Sequence, residues 1–304
     1  MPSVSTCPRL VLSACPLCGG RALPRVTTVG THPVVRCRSC RLQFTNPQPT
    51  DAALAEIYGP DYVLAADGTA AADIITRAKR ATADHYLDLI ARVAPMAPGT
   101  RLIEIGCGAG NFLRQAARRG FDVTGVEYSP FACDRARATL GGTGRVLQGE
   151  IDEVASEGGR YGVCVMCDVI EHVRDPAVFL RKAFNLLQTG GVVFIATPSI
   201  DSWSARLLGR RWMELKAEHL FYFSRRTITR QLEAAGFAAS TLHPGVKKLS
   251  FDYINAHFEK YPVTGITPAL RLLRALLPVP WCVRPFSVVA SGLIAVARKP
   301  AESA

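Results

Sequence analysis

The chain has 304 residues, of which 48% are hydrophobic and 20% are charged, and its formal net charge is +11. No apolar run reaches the roughly 18 uninterrupted residues of a membrane-spanning helix, and the first residues lack the basic start and the long apolar core of a signal peptide. These features exclude a membrane-spanning chain and predict a globular, cytoplasmic protein.

The first predicted element is a zinc ribbon. Two Cys-x-x-Cys pairs, Cys15 with Cys18 and Cys37 with Cys40, are separated by 18 residues. Each pair turns two thiolates toward one point, and two such pairs supply the tetrahedral sulfur shell that Zn²⁺ prefers. A closed four-sulfur shell leaves no open position, so the predicted metal is structural. We assign it to a zinc-ribbon domain of residues 1–50.

After the ribbon, residues 51–95 are predicted to form a helical linker and active-site cap, with a long helix over residues 72–94. From residue 101 onward, strands and helices alternate. The predicted strands are 101–105, 121–127, 145–149, 161–167 and 191–197. This alternation predicts an α/β fold with a doubly wound, mostly parallel sheet. In such sheets the ligand binds at the carboxyl ends of the strands.

Three glycines, Gly106, Gly108 and Gly110, lie between the first of these strands and the following helix. Glycine lets ligand atoms approach the backbone where a side chain would block them, so a nucleotide-like ligand is predicted. The dinucleotide template G-x-G-x-x-G is not met, because Asn111 stands in place of its third glycine. Glu127 ends the next strand, where a carboxylate can accept from both hydroxyls of a ribose.

These motifs resemble those of the class I S-adenosylmethionine-dependent methyltransferases. The similar segments are EIGCGAGNF, VTGVEYSP, LQGEIDEV, YGVCVMCDVIEHVRDP, LLQTGGVVFIATPS, EHLFYFSRRTITRQLEAAGF and the final strand SGLIAVARKP. The resemblance implies a Rossmann-like methyltransferase domain with a seven-stranded sheet over residues 96–304, carrying a helical insertion at about 245–288. The paired-cysteine ribbon is similar to that of a subgroup associated with small-molecule, sugar or polysaccharide pathways.

The resemblance also implies which residues contact the cofactor, S-adenosylmethionine. The residues implied around its methionine part are Glu104, Gly106, Cys107, Gly108, Gly110 and Cys167. The residues implied around its nucleoside are Glu127 for the ribose, Tyr128 for the flank of the adenine, and Glu150 and Ile151 for the adenine's amino edge and face.

Two histidines are candidates for a general base, which helps when the acceptor is a hydroxyl, an acidic carbon or an ammonium. His172 lies just beyond the strand 161–167. His219 has Glu218 beside it and Tyr222 three residues further on, and a related group of sugar C-methyltransferases uses a Glu-His pair here. We take all four as candidate catalytic residues. His219 belongs to an aromatic segment, residues 199–224, that is predicted to cover the active site.

The stretch Asp168-Val-Ile-Glu171-His172 supports a further interpretation. It is similar to the acid-x-x-Glu-His stretch of ubiquinone-type O-methyltransferases, which is linked to a divalent metal. An adjacent Glu and His at the start of a helix can equally well bond to the backbone, so both interpretations stay open.

The leading hypothesis is therefore methyl transfer to oxygen, carbon or nitrogen of a small molecule in a secondary-metabolite or sugar pathway. The alternative is an rRNA or tRNA methyltransferase whose basic ribbon binds RNA, because residues 1–50 contain six Arg and no acidic residue. Against RNA, the arginines are not accompanied by a ladder of base-stacking aromatic residues. A non-enzymatic zinc-bearing module is disfavoured by the complete glycine loop and Glu127.

Overall fold

The computed structural model describes residues 10–57, 70–94, 96–260 and 264–301. Within those ranges the strands are β1 (Arg25–Val29), β2 (His32–Arg36), β3 (Gln43–Thr45), β4 (Arg101–Ile105), β5 (Asp122–Glu127), β6 (Gly144–Gln148), β7 (Tyr161–Cys167), β8 (Leu187–Pro198), β9 (Phe221–Tyr222), β10 (Ala238–Leu249) and β11 (Phe286–Arg298).

The helices in the same ranges are α1 (Asp51–Ile57), α2 (Ala70–Val93), α3 (Asn111–Arg118), α4 (Pro130–Leu140), α5 (Pro176–Leu186), α6 (Trp203–Leu208), α7 (Arg225–Ala234), α8 (Phe251–Lys260), α9 (Ile266–Leu276) and α10 (Val279–Val283). Short 3₁₀ helices cover Ile151–Glu157 and Gly209–Arg211. None of these helices combines the length and the apolar character that crossing a bilayer requires.

The larger sheet confirms the predicted seven-stranded α/β fold. Its strand order is β10-β11-β8-β7-β4-β5-β6. The strands from β8 to β6 run parallel, whereas β11 is antiparallel to β8 and β10 is antiparallel to β11. β7 is buried at every position except Cys167, as expected of a central parallel strand with helices on both faces.

The two faces of this sheet form two cores, because alternate residues of a strand point to opposite sides. Val163 and Val165 pack in the core that holds α2, α3 and α4. Cys164 and Met166 pack in the other core, together with α5, α7 and the cysteine ribbon. The predicted start of α5 is confirmed, since Asp175 accepts from the N–H groups of two residues in its first turn.

The smaller sheet has the order β1-β2-β3-β9, so it joins the ribbon to a strand from the distant aromatic segment. β3 pairs with β9 in the register Gln43 to Tyr222 and Phe44 to Phe221. The rings of Phe44 and Phe221 lie with their centroids 6.0 Å apart. The ribbon therefore shares both a sheet and a hydrophobic core with the rest of the chain.

Two other predicted regions are described in part. The loop of the predicted active-site cap, residues 58–69, lies outside the described residues. Between β10 and β11, the helices α8, α9 and α10 occupy residues 251–283. The two strands extend into both ends of the predicted insertion at 245–288, to Leu249 on one side and from Phe286 on the other.

Candidate functional site

The glycine loop lies at the carboxyl end of β4, between β4 and its neighbour β7, where the direction of strand succession reverses. Gly106 has φ 71°, and a Cβ atom added there would lie 2.5 Å from Cγ2 of Val169, in the loop after β7. The N–H of Gly106 donates to the carbonyl of Val126 at 2.8 Å. The two loops therefore meet closely at the switch point of the sheet, which is where ligands bind in folds of this type.

Glu127 is fixed against this loop by backbone donors. Its Oε2 accepts from the N–H of Gly108 at 2.8 Å, and its Oε1 accepts from the N–H of Ser129 at 2.9 Å. Each carboxylate oxygen can accept more than one hydrogen bond, so the group can also accept from a ligand hydroxyl. The carboxylate is thus held at the mouth of the glycine loop before any ligand arrives.

Glu104 is buried in β4 with 3% exposure, and its Oε2 is buried without a partner among the described residues. Burial, followed by the nearby charge of Glu127, raises the pKa of Glu104 well above its ordinary value. An unpartnered buried carboxyl oxygen is costly, and a cationic ligand group would remove that cost. Glu104 therefore fits the ammonium of an amino acid moiety.

The remaining predicted cofactor residues differ in exposure. Tyr128 is 64% exposed and Glu150 is also exposed, so both side chains are accessible to a ligand. Ile151 is 2% exposed and packs in the core, so its side chain presents little surface to an adenine. Cys107 is buried, and Cys167 is half-buried at the end of β7.

The two candidate bases, His172 and His219, lie against each other. Their ring centroids are 4.7 Å apart and the rings meet edge to face. Nδ1 of His172 is 3.1 Å from the carbonyl of Glu218, and Nδ1 of His219 is 2.9 Å from the carbonyl of Glu214. A carbonyl only accepts, so each Nδ1 carries a proton and Nε2 is the basic nitrogen of each neutral ring.

Both imidazoles are held neutral by their surroundings. Burial lowers the pKa of His172. Burial, followed by the proximity of the other ionisable ring, His172, lowers the pKa of His219 to about 3. A neutral imidazole is the form that can accept a proton from an acceptor group.

Glu171 completes a buried cluster with the two histidines. Its Oε2 accepts from Oγ1 of Thr197 at 2.8 Å, and its Oε1 lies 4.0 Å from Nε2 of His172. Burial, followed by the charge of Asp168, raises the pKa of Glu171 to about 8. The ligand atoms of Glu171, His172 and His219 all lie within 4.8 Å of one another, a spacing that can hold a metal ion.

The other two candidate catalytic residues, Glu218 and Tyr222, make hydrogen bonds that involve backbone carbonyls near this cluster. The carbonyl of Glu218 orients His172, as described above. Tyr222 is 2% exposed, and its hydroxyl donates to the carbonyl of Lys216 at 3.1 Å. The Tyr222 ring centroid is 6.3 Å from that of His219.

Sequence reasoning singled out Asp168 but missed the charged side chains that accompany it beside the cluster. Asp168, directly after β7, pairs with Lys247 of β10 at 3.2 Å. Glu214 pairs with Lys216 at 3.3 Å and accepts from Oγ of Ser291 at 2.8 Å. No local motif marks Lys247, Glu214 or Lys216, and Lys247 lies 79 residues after Asp168. One small cavity is lined by four of these residues and by Tyr86 and Thr197; the four are Asp168, Glu214, Lys247 and Ser291.

The four ribbon cysteines converge as predicted. Their sulfur atoms all lie within 4.8 Å of one another, with Cys15 to Cys40 at 3.4 Å and Cys18 to Cys37 at 3.5 Å. A Cβ atom added at Gly20 would lie only 3.0 Å from the sulfur of Cys37, so a side chain at position 20 would crowd that sulfur.

The ribbon is connected directly to the histidine cluster. Oγ1 of Thr45, in β3, donates to the carbonyl of His219 at 3.1 Å, and the N–H of Thr45 donates to the carbonyl of Leu220 at 2.9 Å. On the other side, the N–H groups of Leu220 and Phe221 donate to the carbonyl of Glu171 at 2.8 and 3.1 Å. The backbone of residues 219–221 is therefore hydrogen-bonded to the ribbon on one side and to the loop after β7 on the other.

Comparison with known proteins shows the family to which the central region of the chain belongs. Residues 77–242 match the model of a family described as "Methyltransferase domain". The chain is 30% identical over 155 residues to the ubiquinone biosynthesis O-methyltransferase of Azorhizobium caulinodans, covering 47% of this chain and 61% of that protein. It is 36% identical over 103 residues to the enzyme of the same name from Caulobacter vibrioides, covering 33% of this chain and 41% of that protein.

The chain thus spans less than two thirds of the length of both relatives. Among solved structures, it is similar to a chain of the complex between the Haloferax volcanii Trm112 methyltransferase activator and a methyltransferase. That match has a TM-score of 0.52 and 18% identity, and it covers 76% of this chain and 96% of the other. At this identity the likeness shows the fold alone.

Proposed function

This protein belongs to the methyltransferase-domain family of class I S-adenosylmethionine-dependent enzymes, and we propose that it methylates a small-molecule acceptor at oxygen, carbon or nitrogen. The observation that carries the proposal is the neutral His172 and His219 pair; His172 lies in the loop after β7, and Val169 of the same loop meets Gly106 of the glycine loop. The two relatives are named for O-methylation in ubiquinone biosynthesis, which supports a hydroxyl acceptor. A secondary-metabolite or sugar acceptor is the finer form of the proposal.

The residues around the glycine loop fit S-adenosylmethionine. Glu104, with its unpartnered Oε2, would hold the ammonium of the methionine part, and Glu127 would accept from the ribose hydroxyls. Tyr128 would flank the adenine, and Glu150 would contact its amino edge. When bound, the cofactor supplies a methyl group already activated by its positively charged sulfur. The chain then has to bind the acceptor, orient it and exclude water.

The histidine pair would remove the acceptor's proton. Nε2 of His172 or of His219 would accept it, while the carbonyl at each Nδ1 fixes the tautomer and stabilises the imidazolium that forms. Glu218 and Tyr222 would position these rings through the backbone. The neighbouring pairs Asp168–Lys247 and Glu214–Lys216 support an acceptor that carries polar groups.

A metal-assisted variant is supported by the spacing of Glu171, His172 and His219. Two imidazoles and one carboxylate are ligands that divalent transition metals accept. The test adds Mn²⁺, Co²⁺ or Mg²⁺ to protein dialysed against a weak chelator, with the ribbon's zinc content measured in parallel. Turnover that rises with added metal at constant zinc supports the variant, and turnover that does not change supports the base alone.

We also propose that the ribbon cysteines bind structural Zn²⁺. Zinc–sulfur bonds of about 2.3 Å place tetrahedral sulfurs about 3.8 Å apart, close to the two distances in the ribbon. Burial raises the pKa of Cys15 and Cys40. Burial also opposes ionisation of Cys37, yet backbone hydrogen bonds from Cys40 and Ser39 lower the pKa of Cys37 to about 6, so Cys37 is the readiest of the three to form the thiolate that a metal needs. Because such thiols must stay reduced, a cytoplasmic location fits the site.

The acceptor class is tested by labelling. Purified protein is incubated with methyl-labelled S-adenosylmethionine and either the small-molecule fraction of a cell extract or purified rRNA and tRNA. Label in the small-molecule fraction supports the proposal, and label in RNA supports the alternative in which the basic ribbon binds RNA. Absence of calorimetric heat with S-adenosylhomocysteine would overturn both.

With that acceptor in hand, the base is tested by His172→Ala and His219→Ala. The variant that lacks the base should bind S-adenosylhomocysteine normally while turnover falls by roughly 10² to 10⁴. His257→Ala, in α8, is the matched control and should turn over normally. Normal turnover in both His172→Ala and His219→Ala would remove the histidine pair from the chemistry.

A further inference from the structure

The helices α9 and α10 carry a large apolar surface that the rest of the described chain leaves uncovered. Within residues 264–287 only Thr267 and Cys282 are buried. Leu276 is 73% exposed and Trp281 is 72% exposed. The exposed large apolar side chains of the two helices are Ile266, Leu272, Leu273, Leu276, Val279, Trp281 and Val283. We call this the α9–α10 surface.

The surface continues onto two neighbouring elements. β11 begins three residues after α10, with Phe286 and Val289 both exposed. Nε1 of Trp203, in α6, donates to the carbonyl of Val289 at 3.0 Å, which ties α6 to this strand. Trp203 and Leu207 are themselves 59% and 74% exposed. An apolar patch of this extent marks an interaction site.

The charged residues of α6, of α9 and of the segment between α10 and β11 are all arginines. The described residues 264–301 contain no Asp or Glu. Arg271 and Arg274 are paired with Glu259 and Asp252 of α8. A second set of arginines is exposed and forms no ion pair within the described part of the chain; it consists of Arg206, Arg210, Arg211 and Arg284.

We propose that the α9–α10 surface binds the surface of an anionic lipid bilayer, independently of the methyl-transfer site. Leucine and tryptophan side chains on short helices can enter the boundary between headgroups and acyl chains, while nearby arginines contact anionic headgroups. The two tryptophans suit that boundary because their rings are amphipathic. A two-fold pairing of two copies through the same patch is less favourable, since it would bring the unpaired arginines of both copies together.

The proposal is tested by flotation of the full chain with vesicles of phosphatidylcholine alone and with vesicles that also contain phosphatidylglycerol. The protein should float with the anionic vesicles, and high salt should weaken that binding. Leu276→Glu and Trp281→Ser should each lower the anionic-vesicle affinity by at least about tenfold, and Arg284→Gln by about fivefold. Val178→Glu, which adds the same charge at an exposed apolar site on α5, should bind like the parent.

Light scattering and thermal unfolding accompany each variant. Because Leu276 and Trp281 are mostly exposed, their variants should unfold at the parent temperature. Failure of the parent to bind anionic vesicles would overturn the proposal. So would concentration-dependent dimers that Leu276→Glu abolishes, because the surface would then be an interface between copies of the chain.

Discussion

The two halves of the candidate site are built in different ways. Most of the cofactor half comes from one continuous stretch, β4 through β5, in which Glu104, the glycine loop and Glu127 follow each other within 24 residues. The acceptor half is assembled from distant segments, since Thr45 and His219 are 174 residues apart and Asp168 and Lys247 are 79 apart. A cofactor site of this kind is therefore encoded locally, whereas the acceptor site depends on the whole fold.

Loss of the ribbon metal should have the largest effect, because the ribbon packs against the acceptor half of the site. Cys40→Ser removes a fully buried thiol from the four-cysteine cluster and should lower the free energy of unfolding by several kcal/mol, because structural zinc contributes to folding directly. Metal content by mass spectrometry and thermal unfolding with and without chelator measure the effect. Cys282→Ser, also buried but outside the ribbon, should retain full zinc. Unchanged zinc in Cys40→Ser would contradict the ribbon assignment.

Gly106→Ala should damage the cofactor half alone. A Cβ atom there would clash with Val169, and φ 71° is unfavourable for alanine, so S-adenosylhomocysteine affinity should fall by about 2 to 3 kcal/mol, measured by calorimetry. Gly141→Ala is the matched control, because its φ is 57° and a Cβ atom there meets nothing within 4 Å. It should lose about 1 kcal/mol of stability and no affinity. Equal losses of affinity in both variants would contradict a role for the loop.

Glu171→Gln tests the electrostatics of the acceptor half in metal-free protein. The folded protein keeps the Glu171 proton up to about pH 8, whereas the unfolded chain loses it at the ordinary carboxyl pKa. Stability from this group is therefore present at low pH and is lost as pH rises through that interval. Relative to wild type, Glu171→Gln should gain on the order of 2 kcal/mol between pH 5 and pH 8 by chemical denaturation. A difference that does not vary with pH would show an ionised Glu171.

Thr45→Val should have the smallest effect on stability, but it tests directly whether the ribbon positions His219. It keeps the shape of the side chain but removes the hydrogen bond to the carbonyl of His219, at a cost of about 1 to 2 kcal/mol of stability. Thr267→Val removes a similar bond, to the carbonyl of Phe258, and should cost about the same. Only Thr45→Val should also reduce turnover, with S-adenosylhomocysteine affinity unchanged. Equal turnover in the two variants would mean that the ribbon does not position His219.

The contrast between a locally encoded cofactor half and an acceptor half assembled from distant segments also explains which features of the fold and site could be predicted from the sequence. The alternation of strands and helices, the glycine loop and the α5 cap follow from periodicity and short-range spacing, which act within a few residues. The convergence of the four cysteines could also be predicted, because the turn within each Cys-x-x-Cys pair points its two thiols toward one point. The aromatic segment 199–224 was predicted only as a cover, and nothing in its composition identifies β9 as a partner of β3.

Side-chain roles were harder to predict than positions. Glu218 and His219 were predicted as candidate catalytic residues, but in the structure the carbonyl of Glu218 accepts from His172, and the carboxyl group near His172 is that of Glu171. Lys247 and Ser291 reach the site from β10 and β11, on either side of the helical insertion. Such contacts depend on tertiary packing, so no window of the sequence contains them.

The sheet shared by β3 and β9 has a practical consequence for anyone who shortens the gene. A fragment that begins at residue 51 would retain β9 with its backbone donors and acceptors unpaired and with Phe221, now 1% exposed, facing water. We expect such a fragment to aggregate during expression rather than yield a smaller enzyme. Swapping ribbons between homologues would likewise require the matching β9 strand to be exchanged with it.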